Sequence, residues 1–599
     1  MLSPTLSRAS GPSSSSIPTA DPIIPAAPIK EDLTSCSGYN GSQGQIMDEK
    51  HAAEYLTNED RTPSSTLPAG CAWGPTIDSS SRSSLNLRLE DDVINPTSGI
   101  SIQGEEGERD RQWPYRIIWV DFPPGSPQNP FFFSRKRKIA ITVAATFFTL
   151  LTSMNVGAYS ISMESMSRDL GCTTIQASVA LGIYNFGFAI TPLALAPLSE
   201  EFGRRWTYLI AVVFYLLMHI MMALAKNLPT VMLARLLQGC SGSVAATLVG
   251  GTIADIFVPA DRGIPSAMFS FTAIAGSGLG PVMFCWVESD SRLEWRWVWW
   301  IQSIMIAVFI PVISLILRET REPIILRRRA KKLRKERGLS DGGRYTARSE
   351  VGKVNFWVAM RTSLVRPITF LIFEPILSFF SVWMGIGWGV IYTMLAGLRY
   401  IFSRVYGFDT NQIGLIYISI VLGSAIGFGF NFLQDAMYRR KVDQKGIEAR
   451  LYGSMVAGLT FAAGCYIFGL TASPNVHWIV PCIGIVIIIA SVFTIYISAF
   501  VYISECYGSY ASSAVAAQSF LRNCFGGAFS YFTLDMYDAL TPRWTTFTWG
   551  CVALLLSAVP FVAYRYGPQI RARSKYSKIL MQEEQERIAR EKQVLDGLG

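Results

Sequence analysis

Long apolar stretches alternate with short polar breaks along most of this chain. Twelve such stretches of about 20 residues follow a polar N-terminal region, and this is the length that a helix needs to cross a bilayer at a moderate tilt. A longer polar segment separates the first six from the last six. The pattern predicts an all-α membrane protein with twelve transmembrane helices in two six-helix bundles. The predicted spans lie near 139–163, 174–198, 207–225, 230–256, 265–287, 295–317, 367–397, 411–434, 450–471, 477–502, 508–532 and 545–566.

The polar segments divide the chain into five regions. Residues 1–100 are rich in Ser, Pro and Thr and poor in aromatic residues, so they cannot bury enough apolar surface to offset the entropy of ordering. We therefore expect a mostly disordered N-terminal tail, and we expect its aromatic and proline-rich part, 113–133, to lie along the membrane surface. No apolar signal segment precedes the first span, which would itself direct insertion. The predicted regions are the N-terminal tail 1–133, the first bundle 134–317, a basic central loop 318–366, the second bundle 367–566 and the C-terminal tail 567–599.

Basic residues are concentrated in one set of the polar breaks. Lys and Arg cluster at 135–138, at 204–205, in the central loop, at 439–441 and in the C-terminal tail, whereas the alternate breaks are short and weakly charged. Lys and Arg flank membrane spans on the cytoplasmic side, so we expect both termini and the central loop in the cytoplasm. This distribution also accounts for the net charge of +9. We therefore expect the lipid bilayer, rather than nucleic acid, as the surroundings of the basic residues.

Composition excludes several classes of protein. The chain is 50% hydrophobic and only 16% charged, with a mean hydropathy of +0.29, whereas soluble domains contain about 25% charged residues. The ten cysteines show no pairing pattern and the three histidines are scattered, so we expect no disulfide framework, metal site or cofactor. The sequence contains no HExxH, GxSxG or P-loop motif. We predict a monomeric transporter that is not an enzyme and is not driven by ATP.

Three charged residues fall inside predicted spans and away from the span ends. They are Arg235, Glu374 and Arg522, and an arginine at the centre of a membrane helix costs roughly 2.5 to 3.5 kcal/mol. Glu374, about two turns into the seventh span, is the expected proton carrier. Arg235 and Arg522 are expected to take part in proton coupling or to hold an anionic group. The structural alternatives are a helix-end carboxylate in cytoplasmic water for Glu374, helix-end carbonyl partners for Arg235, and an ion pair with Glu505 for Arg522.

The break between the second and third spans carries a compact charged motif. It reads Pro197-Leu-Ser-Glu-Glu-Phe-Gly-Arg-Arg205, in which Gly203 permits a tight turn. Glu200 could meet the positive N-terminus of another helix, and Arg204 or Arg205 could pair with Asp255 at the cytoplasmic end of the fourth span. We expect these residues to form a conformational latch between the bundles. The alternative is a loop that only sets the topology.

Two further groups of residues suggest packing and substrate contacts. In the fifth span, Gly276 and Gly280 form a GxxxG face followed by Pro281, which is typical of close helix packing and gating. Several polar or aromatic residues inside spans could line a substrate cavity, although many such residues only pack or anchor a helix at the interface. These cavity candidates are Asn155, Tyr159, Tyr184, Asn185, Gln238, Trp383, Trp388 and Tyr392.

The motifs resemble those of a known transporter family. The segment 198–205 is similar to the signature loop of the major facilitator superfamily, in the form found in its fungal twelve-span drug:proton antiporter branch. The fourth span resembles the family's second motif, in which the arginine that corresponds to Arg235 is implicated in proton coupling. The segment 276–281 resembles the antiporter motif, but Phe284 and Cys285 stand where the family usually has glycines.

The likeness extends over roughly 120–578 and implies both a fold and a function. Two bundles would rock about a substrate site near the midplane and give alternating access. The resemblance implies proton-coupled export of drugs, toxins, polyamines or secondary metabolites, with a small organic substrate and protons as partners. The expected location is a fungal plasma membrane, with the vacuolar membrane as an alternative. A uniporter or symporter for an organic acid or other nutrient, and a non-transporting receptor on the same fold, stay open.

Overall fold

A computed structural model describes residues 116–578, apart from Pro124, 259–260, 339–342, 352–354 and Lys575. The predicted disordered tail up to residue 115 and the tail beyond residue 578 lie outside the described residues. The helices are α1 Arg135–Leu170, α2 Thr174–Phe202, α3 Arg204–Ala223, α4 Leu228–Ile256, α5 Gly263–Ser289, α6 Glu294–Ile316, α7 Glu322–Arg337, α8 Phe356–Phe373, α9 Pro375–Tyr406, α10 Thr410–Ile416, α11 Ile418–Lys445, α12 Tyr452–Thr471, α13 Ile479–Tyr507, α14 Ala511–Leu556 and α15 Ala558–Arg573.

Twelve segments of the described residues are long and apolar enough to cross a membrane. The first six are α1 to α6. In the second half, α9, the α10–α11 pair, α12 and α13 each form one crossing. The continuous apolar segment Ala511–Arg573 forms two, because its path breaks at Thr541, where φ is 65°, and Pro542 follows.

The remaining apolar segment, α8, lies along one end of the bundles instead of crossing. Phe356 at its start contacts Phe202 at the end of α2. In its middle, Ser363 Oγ donates to the Leu193 carbonyl of α2 at 2.8 Å. Its far end reaches Glu374, which contacts the end of α13 and the C-terminal segment. Both ends of α8 are therefore on the same side, and the count of crossings stays at twelve.

Two sequence-based boundaries of the second half are wrong. The seventh span begins at Pro375 and not near 367, and the last helix continues to Arg573 rather than ending near 566. The central region also differs from a plain loop, since it contains α7 and a short strand. For orientation, the end of the molecule that carries Arg135, Arg204, Lys445 and Arg573 is called the basic end. The other end is called the opposite end.

Small residues bring α1 and α5 into backbone contact in the first bundle. A Cβ at Gly280 would collide with the Met154 carbonyl, and a Cβ at Gly276 would lie 2.6 Å from the Ser153 Cβ. The Pro281 ring occupies the space beside Gly157. The three residues of the predicted packing motif therefore all face α1. Across the bundle interface, α2 packs on α14 and α5 packs on α11.

A small cap joins the segment before α1 to the central region. Strand β1, Arg116–Trp119, pairs in parallel with β2, Gly343–Thr346, and Val120 packs on the buried Leu326 and Ala330 of α7. Residues 116–120 therefore pack against protein, and the position of 113–133 along the membrane surface stays a prediction.

One ion pair fastens this cap at its edge. Arg334 donates to both carboxylate oxygens of Glu350 at 2.8 Å. Partial burial on its own would raise the pKa of Glu350. The hydrogen bonds from Arg334 and from the Ala347 backbone outweigh burial and hold that pKa below its usual value.

Candidate substrate cavity and coupling residues

A cavity lies between the two bundles in the middle of the molecule. Its volume is about 50 Å³, which is small for a small-molecule site, so the cavity is narrow in this conformation. Helices α1, α2, α4 and α5 line it from the first bundle, and α9, α13 and α14 from the second. Its polar and aromatic lining includes Tyr184, Asn185, Trp388, Tyr392, Tyr496, Arg522 and Asn523.

The cavity lining includes four of the eight residues that the sequence suggested. These are Tyr184, Asn185, Trp388 and Tyr392. Trp383 lies outside the cavity and is fully buried in the second bundle, where it packs edge-on against Phe380. The remaining three, Asn155, Tyr159 and Gln238, surround Arg235 instead.

Arg235 is completely buried in a cage of aromatic and amide side chains. Its guanidinium lies 4.2 Å from the Tyr159 ring centre and 4.7 Å from that of Tyr184. It donates to Asn155 Oδ1 and, at 3.2 Å, to Gln238 Oε1. It forms no ion pair with a described carboxylate. The alternative in which helix-end carbonyls hold Arg235 is therefore wrong, because amides and ring faces occupy that role.

Arg522 differs from Arg235 because it faces the cavity. Its guanidinium lies 4.3 Å from the Trp388 ring centre and 4.9 Å from that of Tyr496, and it donates to Ser519 Oγ only at 3.4 Å. Glu505 pairs instead with Arg450 at 3.1 Å. The expected alternative, an Arg522–Glu505 pair, is therefore wrong. Within the described part of the chain no carboxylate neutralises Arg522.

Glu374 is not two turns inside a span, as the sequence predicted. It occupies the break between α8 and α9 and is nevertheless completely buried. Its carboxylate accepts hydrogen bonds from Tyr507 Oη at 3.0 Å, from Ser574 Oγ, and from the Tyr576 backbone at 3.2 Å. It therefore ties the start of α9 to the end of α13 and to the C-terminal segment. The alternative of a carboxylate facing water is also wrong.

Glu288 is a second buried carboxyl, and it was not identified from the sequence. It lies in the last turn of α5, at the opposite end of the molecule. Ser165 of α1 donates to its Oε1, and its Oε2 has no hydrogen-bond partner among the described residues. The charges that act on it are those of Arg399 and Glu294. The only sequence signal was a lone acidic residue at the end of an apolar run.

Glu288 and Glu374 differ from the other buried glutamates in their ion pairs. Four described glutamates are almost fully buried. Glu319 has Arg328 at 3.9 Å and Glu448 has Arg571. Glu288 and Glu374 have only uncharged hydrogen-bond partners. Each of these two can therefore gain or lose a proton without breaking an ion pair.

Comparison with known proteins identifies the family. The family model described as Major Facilitator Superfamily matches residues 145–531. The chain belongs to the major facilitator superfamily. It is 30% identical to "Major facilitator superfamily multidrug transporter FLU1" of Candida albicans over 79% of this chain and 77% of that protein. It is also 30% identical to "Efflux pump FUBT" of Fusarium oxysporum, over 79% and 80% of the two chains.

Solved structures agree on the fold. The partially occluded inward-open xylose transporter XylE of E. coli matches with a TM-score of 0.51 and 18% identity, over 72% of this chain and 99% of that one. The peptide transporter POT in complex with alafosfalin matches with a TM-score of 0.52 and 14% identity, over 76% and 98%. The predicted twelve-helix membrane fold is confirmed. This superfamily member is a transporter and not an enzyme.

The charged loop of this transporter makes its contacts with the first bundle and with the segment directly after it. Gly203 turns the chain with φ 94°, and a Cβ there would collide with the Glu319 carboxylate. Arg204 pairs with Asp255 as the sequence suggested, while Arg205 donates to the Ser314 carbonyl at 3.2 Å.

The predicted latch partners therefore do not join the two bundles in this conformation. The Glu200 carboxylate pairs with Arg321 at 3.1 Å, and not with a helix N-terminus. Arg321 and Glu319 belong to the segment directly after the first bundle. A latch role for the loop in another conformation stays a prediction.

The contact that does join the bundles lies at the opposite end and centres on Arg399 of α9. Its guanidinium lies 2.7 Å from Glu164 of α1 and donates to the Ile161 carbonyl at 3.0 Å. Nearby, Ser160 and Tyr417 approach within 3.4 Å across the same interface. This pair could not be predicted from the sequence, because charged residues at span ends are too common to single one out.

Proposed function

We propose that this transporter exports small organic molecules in exchange for protons by alternating access. The carrying observation is the aromatic-lined cavity between the bundles, combined with two buried carboxyls that form no ion pair among the described residues, one near each end. Glu374 lies at the basic end and Glu288 at the opposite end. Exchange requires a group that can take up a proton on one side and release it on the other, and this pair supplies such groups at both.

Relatives support the direction of transport. They include a protein named as a multidrug transporter and another named as an efflux pump. The basic end carries α7 with its run Arg327-Arg-Arg and the clusters at 135–138 and 439–441, so the positive-inside rule favours the cytoplasm for this end and for both termini. We assign the transporter to the plasma membrane as a monomer, with the vacuolar membrane as the second location.

Arg235 and Arg522 would assist coupling through their fixed positive charges. Each guanidinium is buried against aromatic rings and is not neutralised by a described carboxylate. Protons that bind elsewhere in the same bundle would therefore experience a constant positive field, stronger than in water because the interior screens charge weakly. We propose that the Arg204–Asp255 pair and the surrounding loop keep the first bundle rigid while it rocks.

Transport by sealed vesicles with an imposed pH gradient tests this function. The panel contains cationic dyes, azole-like drugs and dicarboxylates, and the variants are Glu374→Gln and Glu288→Gln. The matched control is Glu505→Gln, which alters a glutamate that already has an arginine partner. We expect gradient-driven uptake in wild type, loss of the gradient dependence in at least one of the first two variants, and its retention in the control. Flux that ignores the pH gradient in wild type would refute exchange and favour a uniporter.

A further inference from the structure

The charges around the central cavity are unbalanced. Among the described residues that line it, Arg522 alone is charged, and none is an Asp or Glu. Arg235, behind Tyr184, adds a second positive charge nearby. The described acidic residues of the spans lie toward helix ends, where Asp255, Glu288 and Glu505 are examples. An uncharged or cationic ligand would leave this excess positive charge uncompensated.

Arg522 is also short of hydrogen-bond acceptors. Only 5% of it is exposed, yet its Nε has no partner among the described residues, and its bond to Ser519 is long at 3.4 Å. The indole Nε1 of Trp388, which lines the same cavity, has no acceptor either. Buried donors without acceptors are uncommon in folded proteins. Arg235, Trp299 and Trp383 also carry such donors, but Arg522 and Trp388 line the cavity, where an acceptor-rich group of a ligand could reach them.

Arg235 provides an internal comparison. It is also buried on aromatic faces, but Asn155 and Gln238 accept its hydrogen bonds, and it is not part of the cavity lining. Its Nε and Nη2 also have no acceptor among the described residues, so its position away from the cavity, and not its hydrogen bonding, distinguishes it from Arg522. The cage around Arg522 has aromatic walls on two sides and is open toward the cavity, so only Arg522 is available to a transported molecule.

We propose that Arg522 binds an anionic oxygen group of the transported molecule, and that the substrates are organic acids with an apolar body. A planar guanidinium binds a carboxylate through two parallel hydrogen bonds. The rings of Trp388, Tyr392 and Tyr496 would contact the apolar body, and the amides of Asn185 and Asn523, which also line the cavity, would bind further polar groups. This assignment rests on the proposed transport function and names its substrate class.

Binding of a matched set of probes to the purified full-length transporter in lipid nanodiscs tests the assignment. The probes are 1-naphthylacetate, its neutral amide 1-naphthylacetamide, and the cation 1-naphthylmethylamine, all at pH 7. The variants are Arg522→Gln, which removes the charge, and Arg522→Lys, which keeps the charge but not the planar fork. The control is Arg543→Gln, which removes an exposed cation on the same helix outside the cavity lining.

We expect wild type to bind the acid more tightly than the amide or the amine. Loss of charge-assisted hydrogen bonds should weaken binding of the acid to Arg522→Gln by about tenfold to a hundredfold, and binding of the amide by much less. Arg522→Lys should be intermediate and Arg543→Gln should resemble wild type. Thermal melting of each variant shows whether it is folded.

Several outcomes would overturn the assignment. They are equal binding of acid and amide by wild type, tighter binding of the amine, no binding of the acid at millimolar concentration, or an equal loss of acid and amide in folded Arg522→Gln. Because binding is measured without a pH gradient, a failure of proton exchange in vesicles leaves this result unchanged. The two proposals can therefore fail separately.

Discussion

Replacing Gly182 with alanine should separate the two bundles at the point where α2 meets α14. A Cβ on Gly182 would lie 2.6 Å from the carbonyl oxygen of Gly527, whereas ordinary contact begins at 3.4 Å. The two helices would therefore have to move apart by about 0.8 Å, the difference between these distances. Gly182 belongs to the first bundle and Gly527 to the second, so the collision exists only while the bundles touch here.

The size of the effect follows from the cost of overpacking. An added methyl group in a close-packed contact costs about 1 to 3 kcal/mol. Since about 1.4 kcal/mol corresponds to a tenfold change in population, the alanine should shift the population toward the state with separated bundles by about 5-fold to 150-fold. Gly182 lies eight residues from the start of α2, in its outer third, so the shift should expose the opposite end.

Thiol labelling measures this shift directly. A cysteine in place of Ala396, which lines a cleft between the bundles at the opposite end, reports access through its rate of reaction with a membrane-impermeant maleimide. Cys172, a partly exposed thiol in the loop after α1, is replaced by serine in this background. Gly250→Ala is the matched control, because nothing lies within 4 Å of a Cβ at that position. Equal labelling rates with and without Gly182→Ala, or an equal increase in the control, would refute the reasoning.

Three further changes test other parts of the structure. Gly280→Ala should lower the melting temperature of the purified transporter through an overpacked α1–α5 contact costing about 1 to 3 kcal/mol, and an unchanged melting curve would contradict this packing. Arg399→Gln should raise maleimide labelling at the opposite end modestly, because an ion pair whose carboxylate is open to solvent contributes only about 1 kcal/mol; a large closing effect would contradict its position at the interface. The lowered pKa of Glu350 means that its bond to Arg334 stabilises the cap above the ordinary carboxyl pKa and is lost as pH falls through the lowered value. Hydrogen exchange in α7 should therefore accelerate only in acid, and Glu350→Gln should remove that acid step.

The sequence predicts the fold well because the length and hydropathy of the spans determine most of the topology. It predicts the Arg204–Asp255 pair for a related reason, since two opposite charges at the same end of neighbouring spans have few other partners. The error at Glu374 arises because hydropathy is continuous through 367–397 and does not detect a break. Pro375 was the available signal, because a residue before proline avoids the helical conformation and proline is common at the first position of a helix.

The inter-bundle residues could not be predicted in the same way. The position of Arg399 against Glu164 depends on how two bundles, distant in sequence, meet in space. Glu288 looks like an ordinary span-end acid in the sequence. Only three-dimensional packing distinguishes it from Glu448, which has an arginine partner.

Helix α8 sets a limit on how far the basic end can open. Ser363 is bonded to α2 of the first bundle, and Arg366 lies over the ring of Tyr510, next to α14 of the second, at 5.5 Å. These two attachment points are three residues apart, which is about 4.5 Å along a helix axis. A rigid helix cannot lengthen between them, so wider separation requires that one attachment be released. One such bond is worth only about 1 kcal/mol. Helix α8 would therefore slow the separation of the bundles at the basic end without preventing it. A transporter without α8 should turn over faster, but its opening should be less tightly coupled to substrate binding.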